Sequence, residues 1–267
     1  RSRVHSQTQN LCVTLGRDAE FRSAAFDFGG KLSRNDLLVD LPERGAHAEF
    51  NGLYLAGDGQ HVDNHTRVDH RVGPATSRQQ YRGILSGRTR AVWNGKALVY
   101  EGADGTDAEQ SNHNLLLADN AEIDTKPELE IYAEDVRCSH GTTVGQLDEK
   151  ALFYLRSRGI SAEDAHRLLV KAFAASTLDR LPVAAIGEHL TALLAHGLLA
   201  DDRWLDGADP TLKRMWHWHA IEEAEHLLAR CGFALEEVYA GYDRRPYGSE
   251  YPGELILIAR RTTRHRN

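Results

Sequence analysis

Short segments with alternating apolar and polar residues, from Phe21 to about Cys138, constrain the fold of this chain most. They include LLVDL, LYLA, KALVY, NLLLA and LEIYA, separated by glycine, asparagine and aspartate residues. This pattern predicts β-strands joined by turns. No stretch with the 3.6-residue period of a helix interrupts it, which excludes a doubly wound α/β domain. A sandwich, a barrel and a stacked solenoid remain, because no repeat of fixed length is visible.

Cys138 and His140 lie two positions apart at the end of this region. Side chains with that spacing leave the same face of a strand, so a thiol and an imidazole are available to one soft or borderline metal. Structural zinc takes four ligands, and iron–sulfur clusters are usually held by several thiolates. A metal here would need ligands from elsewhere, and two half-buried residues at a strand end are the alternative interpretation.

A second polar segment, QHVDNHTRVDH, places His61, Asp63 and His65 on one strand face, with Asp69 and His70 close behind. Such a set would suit a hard or borderline metal. Polar residues on the outer face of a sheet also line up in ladders without binding anything, and we favour that interpretation.

After Gly145 the apolar residues follow a helical period. A first helix ends near Gly159, and a second begins after Ser161, with Asp164 completing an acidic variant of the capping box. A third helix is expected to begin near Pro182. The predicted apolar faces are Leu147, Ala151, Leu152 and Leu155 in the first helix, and Leu168, Leu169, Ala172 and Phe173 in the second.

The region after Ala200 predicts one more helix, with Asp209 as N-cap and Gly232 past its end, followed by the strands ALEEVYA and ELILIAR. On that helix Glu223 and His226 have the i, i+3 spacing used by carboxylate-bridged di-iron bundles. The full candidate metal set is Glu188, His189, His219, Glu223 and His226. A polar helix face is the alternative interpretation.

The composition of the chain indicates which partners and which cellular compartment to expect. The net charge of −7 and the lack of a long Lys/Arg cluster argue against a nucleic-acid partner. No run of 18 apolar residues is present, and RSRVHSQTQN lacks an apolar core, so we expect neither a membrane span nor a signal peptide. Cys12, Cys138 and Cys231 are widely spaced and odd in number, which predicts a reducing, cytoplasmic environment.

Long motifs between residues 20 and 180 closely resemble the SufB/SufD family of iron–sulfur cluster assembly proteins, and its SufD branch in particular. They are HAEFNGLYLAGDGQHVDNHTRVDH, YRGILSGRTRAVWNG, QSNHNLLL and NAEIDTKPELEIYAEDVRCSHGTTVGQLDEKALFYLRSRGI. The resemblance implies a mainly β fold, a right-handed parallel β-helix followed by a small helical domain and here a short α/β tail. The implied domains are a β-helix core over 1–145, N-terminally truncated relative to the family, a helical domain over 146–200 and an atypical tail over 201–267.

The same resemblance implies a non-catalytic scaffold subunit in a complex with a SufB-like subunit and a SufC-like ATPase. His140, with Cys138 second, would contribute to a transient iron–sulfur cluster at the SufB interface, and no cofactor would be bound tightly. The helices from Asp148 to about Leu181 would dock the ATPase.

Two shorter resemblances follow. Residues 186–226, with EHLTALLAHGLL and the Glu223–His226 pair, resemble a family of predicted metal-dependent hydrolases with a ferritin-like character. Residues 227–261 resemble the C-terminal end of class I methyltransferases, but the glycine-rich nucleotide loop is missing. The alternative functions are therefore a di-iron-like hydrolase or oxidase using the five-residue set, and a composite chain without activity.

Overall fold

The computed structural model describes residues 6–28, 30–180, 233–239 and 256–261. Ten strands and two helices lie in the first two of these ranges, and two strands lie in the others. The strands of the first part are β1 (Ser6–Thr14), β2 (Glu20–Phe28), β3 (Leu32–Leu41), β4 (His47–Ala56), β5 (His61–His70), β6 (Thr76–Leu85), β7 (Arg90–Val99), β8 (Asp107–Leu116), β9 (Glu122–Ile131) and β10 (Arg137–Gly145). The remaining elements are α1 (Glu149–Ser157), α2 (Ala162–Leu178), β11 (Phe233–Tyr239) and β12 (Ile256–Arg261).

The ten strands form two parallel five-stranded sheets. The odd sheet has the order β1-β3-β5-β7-β9 and the even sheet has the order β10-β8-β6-β4-β2. Because successive strands alternate between the sheets, each turn of the chain contributes one strand to each, and the result is a parallel β-solenoid of about five turns. The mainly β, solenoidal fold predicted from the family resemblance is thereby confirmed.

The length of the solenoid turn varies along the chain. Ser6 pairs with Leu32, 26 positions later, whereas Arg90 pairs with Glu122, 32 positions later. The turns between the strands absorb these differences while the strands keep their register. A repeat whose length changes by several residues explains why no fixed period is visible in the sequence.

The space between the two sheets is filled by large side chains. Phe50, Tyr54 and Trp93 are completely buried there, together with aliphatic residues such as Val39, Val62 and Leu85. Glycines make room for the rings: a Cβ at Gly95 would collide with the indole of Trp93, and a Cβ at Gly52 would collide with the ring of Tyr81. The close approach of backbone and ring therefore requires glycine at both positions.

A second apolar cluster joins helix α2 to the outer face of the even sheet. Val170, Ala174 and Leu178 of the helix pack with residues of β4, β6 and β8, namely Leu53, Leu55, Ile84 and Leu115. Ser161 caps the helix as predicted, with its Oγ accepting from the Asp164 backbone N–H at 3.0 Å. Helix α1 ends at Ser157, just before Gly159, which has a φ of 83°.

The predicted apolar stripe of α2 was partly wrong. Leu169 and Phe173 lie on the packed side, but Leu168 and Ala172 are exposed, and Val170 and Ala174 are buried instead. The row of α2 that packs on the sheet recurs every four residues, at Val170, Ala174 and Leu178, and so lies to one side of the predicted stripe. In α1 the predicted residues Ala151, Leu152 and Leu155 are half-buried, as is Leu147, which precedes the helix. No residue of α1 is fully buried.

Strands β11 and β12 pair with each other in antiparallel orientation. They belong to a compact unit, residues 206–267, that is separate from the unit formed by residues 1–205. In the part of the chain that is described, no helix is both long and apolar enough to cross a membrane. The predicted third helix and the helix expected after Asp209 lie outside the described residues, and the boundaries of the three domains stay predictions.

Candidate functional site

The predicted pair Cys138 and His140 lies on β10, the last strand of the even sheet. Cys138 is in register with Ala108 of β8, and His140 is in register with Gln110. Both partners on β8 point into the solenoid, where each is about 1% exposed. Because register partners in a parallel sheet share a face, the thiol and the imidazole continue the inward-facing columns of the solenoid.

The solenoid is open at this end. Among the described strands β10 pairs only with β8, and β9 pairs only with β7, so each sheet ends in an unpaired edge. His140 is consequently exposed although it stands on the inward face, and Cys138 is half-buried. Three large apolar residues are also exposed here: Ile131 at the end of β9, Tyr132 after it and Val144 in β10. The edge therefore offers backbone hydrogen-bonding groups, apolar surface and two potential ligands together.

The environment of Cys138 favours its protonated form. Burial raises the pKa of the Cys138 thiol, and the nearby carboxylate of Asp107 adds to this effect, while a hydrogen bond with the backbone of Ala108 works in the opposite direction. A metal or cluster binds the thiolate, so binding at Cys138 must displace a proton.

The pair does not form a complete ligand set. In the described ranges no group of three or more His, Cys, Asp or Glu side chains is placed to hold a metal ion. A metal or cluster bound by Cys138 and His140 would therefore need further ligands from outside the described residues. Cys12 and Cys138 are both free thiols.

Gln110 is a neighbour of this site that the sequence analysis missed. Its side chain lies in one inward column between Gln79 and His140, about 4.8 Å from each neighbouring strand. Both polar atoms of the Gln110 amide are buried and have no hydrogen-bond partner within the described residues. The alternation in QSNHNLLL would have placed Gln110 on the inward face, but only the register places it beneath His140.

The segment from His61 to His70 forms an ion-pair ladder, as we favoured. His65 Nε2 lies 2.8 Å from Asp63, which also pairs with Arg34, and Asp69 accepts two hydrogen bonds from Arg67. His70 points the other way, into the solenoid, where its Nε2 lies 2.9 Å from Ser77 Oγ. The carboxylates already have cationic partners, which leaves them poorly placed to bind a metal.

The alternative metal set, Glu188, His189, His219, Glu223 and His226, lies outside the described residues. Whether these five side chains come together stays a prediction.

Comparison with known proteins adds two family matches. Residues 2–173 match the family described as "SUF system FeS cluster assembly, SufBD core domain". Residues 139–235 match the family described as "Predicted metal-dependent hydrolase", so residues 139–173 are common to both matches. The second match is consistent with the shorter resemblance noted around residues 186–226, and it covers a minor part of the chain.

Curated proteins with similar sequences also belong to the first of these two families. The iron–sulfur cluster assembly protein SufD of Escherichia coli is 39% identical over 186 residues, which are 70% of this chain and 44% of that protein. An iron–sulfur cluster assembly SufBD family protein of Synechocystis is 38% identical over 174 residues, 65% of this chain and 38% of that protein. SufD of Bacillus subtilis is 30% identical over 182 residues, 67% of this chain and 41% of that protein. The chain spans less than half the length of each of these relatives.

Proposed function

Because this chain belongs to the SufBD core family of iron–sulfur cluster assembly proteins and is SufD-like within it, we propose that it is a scaffold subunit of a SufBCD-type complex. In this proposal the chain is not an enzyme by itself. It contributes His140, and secondarily Cys138, to a transient iron–sulfur cluster at an interface with a SufB-like subunit in the cytoplasm. ATP hydrolysis belongs to a SufC-like partner.

The incomplete ligand set on the open edge of β10 is the observation that carries this proposal. A nascent cluster is the cargo of assembly and must be released again, which a closed four-ligand site would oppose. The exposed apolar residues beside the pair and the unpaired backbone of β9 and β10 suit a partner that adds its own strand or surface. That partner would supply the missing ligands.

The test is cluster formation in the assembled complex. The chain is purified anaerobically with its SufB-like and SufC-like partners, and iron and sulfide are added. Iron, acid-labile sulfide and visible absorbance are then measured for the wild type, His140→Ala and Cys138→Ala. We expect His140→Ala to lower cluster content by about tenfold or more, as loss of a metal ligand does, and Cys138→Ala to lower it less.

His61→Ala is the matched control, because His61 is a partly exposed histidine on the opposite sheet. It should leave cluster content unchanged. The scaffold role of His140 is abandoned if His140→Ala forms as much cluster as His61→Ala in complexes of equal composition.

The second part of the proposal assigns helices α1 and α2 to the SufC-like ATPase. Phe153 of α1 is 74% exposed, and Tyr154 and Leu168 are more than half exposed, although all three are large apolar or aromatic residues. The guanidinium of Arg158 lies over the ring of Tyr154, 3.4 Å from the ring centroid. The patch therefore presents a cation as well as apolar surface. Aromatic residues with an arginine are the composition typical of energetically dominant interface positions.

Phe153→Ala should weaken binding of the SufC-like ATPase by about tenfold or more, because truncation of a central aromatic anchor typically costs at least that much. Since the side chain contacts little of its own chain, thermal unfolding should stay near that of the wild type. Leu38→Ala is the control, because it truncates another exposed large apolar residue, on β3 and away from the helices. Equal affinities for the two variants in a titration of the purified partner would exclude α1 from the docking surface.

A second candidate function rests on the match of residues 139–235 to the predicted metal-dependent hydrolases. It uses Glu188, His189, His219, Glu223 and His226, and it requires the isolated chain to hold metal without partners. Iron retained by the purified chain and lost in His226→Ala would support this function. If the isolated chain holds no iron, the hydrolase proposal fails and the scaffold proposal is unaffected.

A further inference from the structure

A small polar pocket lies where the C-terminal end of α2 meets the outer face of the even sheet. Its volume is about 170 Å³. Arg82 of β6 with Ser111 and His113 of β8 lie on the sheet side, and Ser176, Thr177 and Arg180 lie on the helix side. Arg82 and His113 are register partners on adjacent strands. We call this the Arg82–Arg180 pocket, and it lies on the face of the even sheet opposite to the Cys138–His140 pair.

Among the described residues, the two arginines of the pocket have no acidic partner. Throughout the described ranges no carboxylate forms a salt bridge with Arg82 or Arg180, although most arginines of the solenoid have one. Glu109 also borders the pocket, but its carboxylate lies 3.6 Å from Arg78. Arg82 is half-buried with its guanidinium 4.8 Å from the centroid of the Phe173 ring. A partly desolvated Arg82 beside the positive charge of Arg180 is unfavourable unless an anion enters.

Burial and neighbouring positive charge also change the pKa values of the two basic residues on the sheet, Arg82 and His113. Burial lowers the pKa of Arg82, and the charge of Arg180 lowers it further. Burial also lowers the pKa of His113, and Arg82 adds to that effect. In each residue a neighbouring positive charge adds to the effect of burial, and a bound anion would oppose the part that comes from this charge.

The donors around the two guanidinium groups are hydroxyls and an imidazole. Ser111 and Thr177 line the pocket together with Ser176, whose Oγ already donates to the Phe173 backbone oxygen at 3.1 Å. His113 Nδ1 lies 2.8 Å from Thr143 Oγ1, so when that hydroxyl donates to Nδ1 the proton of the neutral ring is on Nε2. Arginine forks together with hydroxyl and imidazole donors are the groups that proteins use for phosphate and other oxyanions.

We propose that the Arg82–Arg180 pocket binds a phosphate-sized oxyanion, either inorganic phosphate or the phosphate group of a larger molecule. A volume of about 170 Å³ has room for a phosphate group. The anion would bridge the solenoid and the end of α2, since it contacts arginines from both. This binding is independent of the proposed cluster site.

The test is a calorimetric titration of the full chain with sodium phosphate, and in parallel with ADP, at constant ionic strength in chloride. Wild-type protein should bind phosphate at one saturable site. Arg180→Gln should weaken it by about tenfold or more, because a hydrogen-bonded charge is lost. Arg180 is exposed, so the variant should fold. Arg88→Gln is the matched control, removing the same charge from an exposed turn outside the pocket.

A second readout places the anion in the pocket. In the NMR pH titration of the His113 imidazole, phosphate should raise the pKa of His113 in wild type and Arg88→Gln, and much less in Arg180→Gln. ADP binding more tightly than phosphate would identify a larger phosphorylated ligand, and equal or weaker ADP binding would identify inorganic phosphate. The proposal is overturned by non-saturable binding, by equal weakening in Arg88→Gln, or by a His113 titration that phosphate leaves unchanged.

Discussion

Trp93→Ala should lower the free energy of unfolding by about 3–5 kcal/mol, the usual cost of removing a large buried ring. Trp93 has no solvent exposure and lies between the two sheets, with its ring centroid 6.0 Å from that of Tyr81. Gly95 packs directly against the indole, so the backbone cannot collapse into the space that the ring leaves. The cavity should therefore persist, which puts the cost at the upper end of the range for core truncations. Urea denaturation followed by circular dichroism measures it.

Trp93→Phe is the matched control for that substitution. The indole Nε1 of Trp93 is buried and has no hydrogen-bond partner within the described residues. Phenylalanine keeps most of the ring volume and removes this unsatisfied donor, so we expect a loss below about 1.5 kcal/mol. The described packing would be contradicted if the two variants lost similar amounts of unfolding free energy. It would also be contradicted if Trp93→Ala lost less than about 1 kcal/mol, which is close to the effect of an ordinary surface substitution.

Acidification from pH 7 to pH 4 should destabilise the solenoid through His70 by about 3 kcal/mol. Burial lowers the pKa of His70 from its ordinary 6.5 to about 4, and the charge of Asp69 only partly opposes this. Above pH 6.5 the imidazole is neutral in both states and contributes no pH dependence. Between pH 6.5 and 4 the unfolded chain binds the proton and the folded chain does not, so stability falls as pH falls. Below pH 4 both states are protonated and this contribution becomes constant.

His70→Gln isolates this contribution. Glutamine can keep a hydrogen bond to Ser77 Oγ, the partner of His70 Nε2, but it does not titrate. Denaturant unfolding at several pH values between 7 and 4 should therefore show a flatter profile for the variant, by about 3 kcal/mol over the whole window. Parallel profiles for wild type and His70→Gln would mean that folding does not lower the pKa of His70.

The candidate site could be predicted in part from sequence. The spacing of Cys138 and His140 put both on one strand face, and they do share the inward face of β10. Spacing could not indicate that this face lies at an open end of the solenoid, because openness depends on which strands follow in both sheets. Gln110 was missed for the same reason, since 30 residues separate it from His140. The Arg82–Arg180 pocket joins β6, β8 and the end of α2, which only the packing of the helix brings together.

The sequence by itself determined the local features: which segments are strands, where α1 stops at Gly159, how Ser161 starts α2, and which side chains share a strand face. These follow from backbone propensities and from periods of two or 3.6 residues, which are visible within a few neighbours. Family resemblance, rather than periodicity, selected the solenoid among the mainly β architectures. The tertiary structure alone decided the strand register, with offsets between 26 and 32 residues, and the exposure of Leu168 and Ala172. Pairing between distant strands and the docking of a helix depend on the volumes of side chains that are far apart in the chain, and no local pattern encodes these volumes.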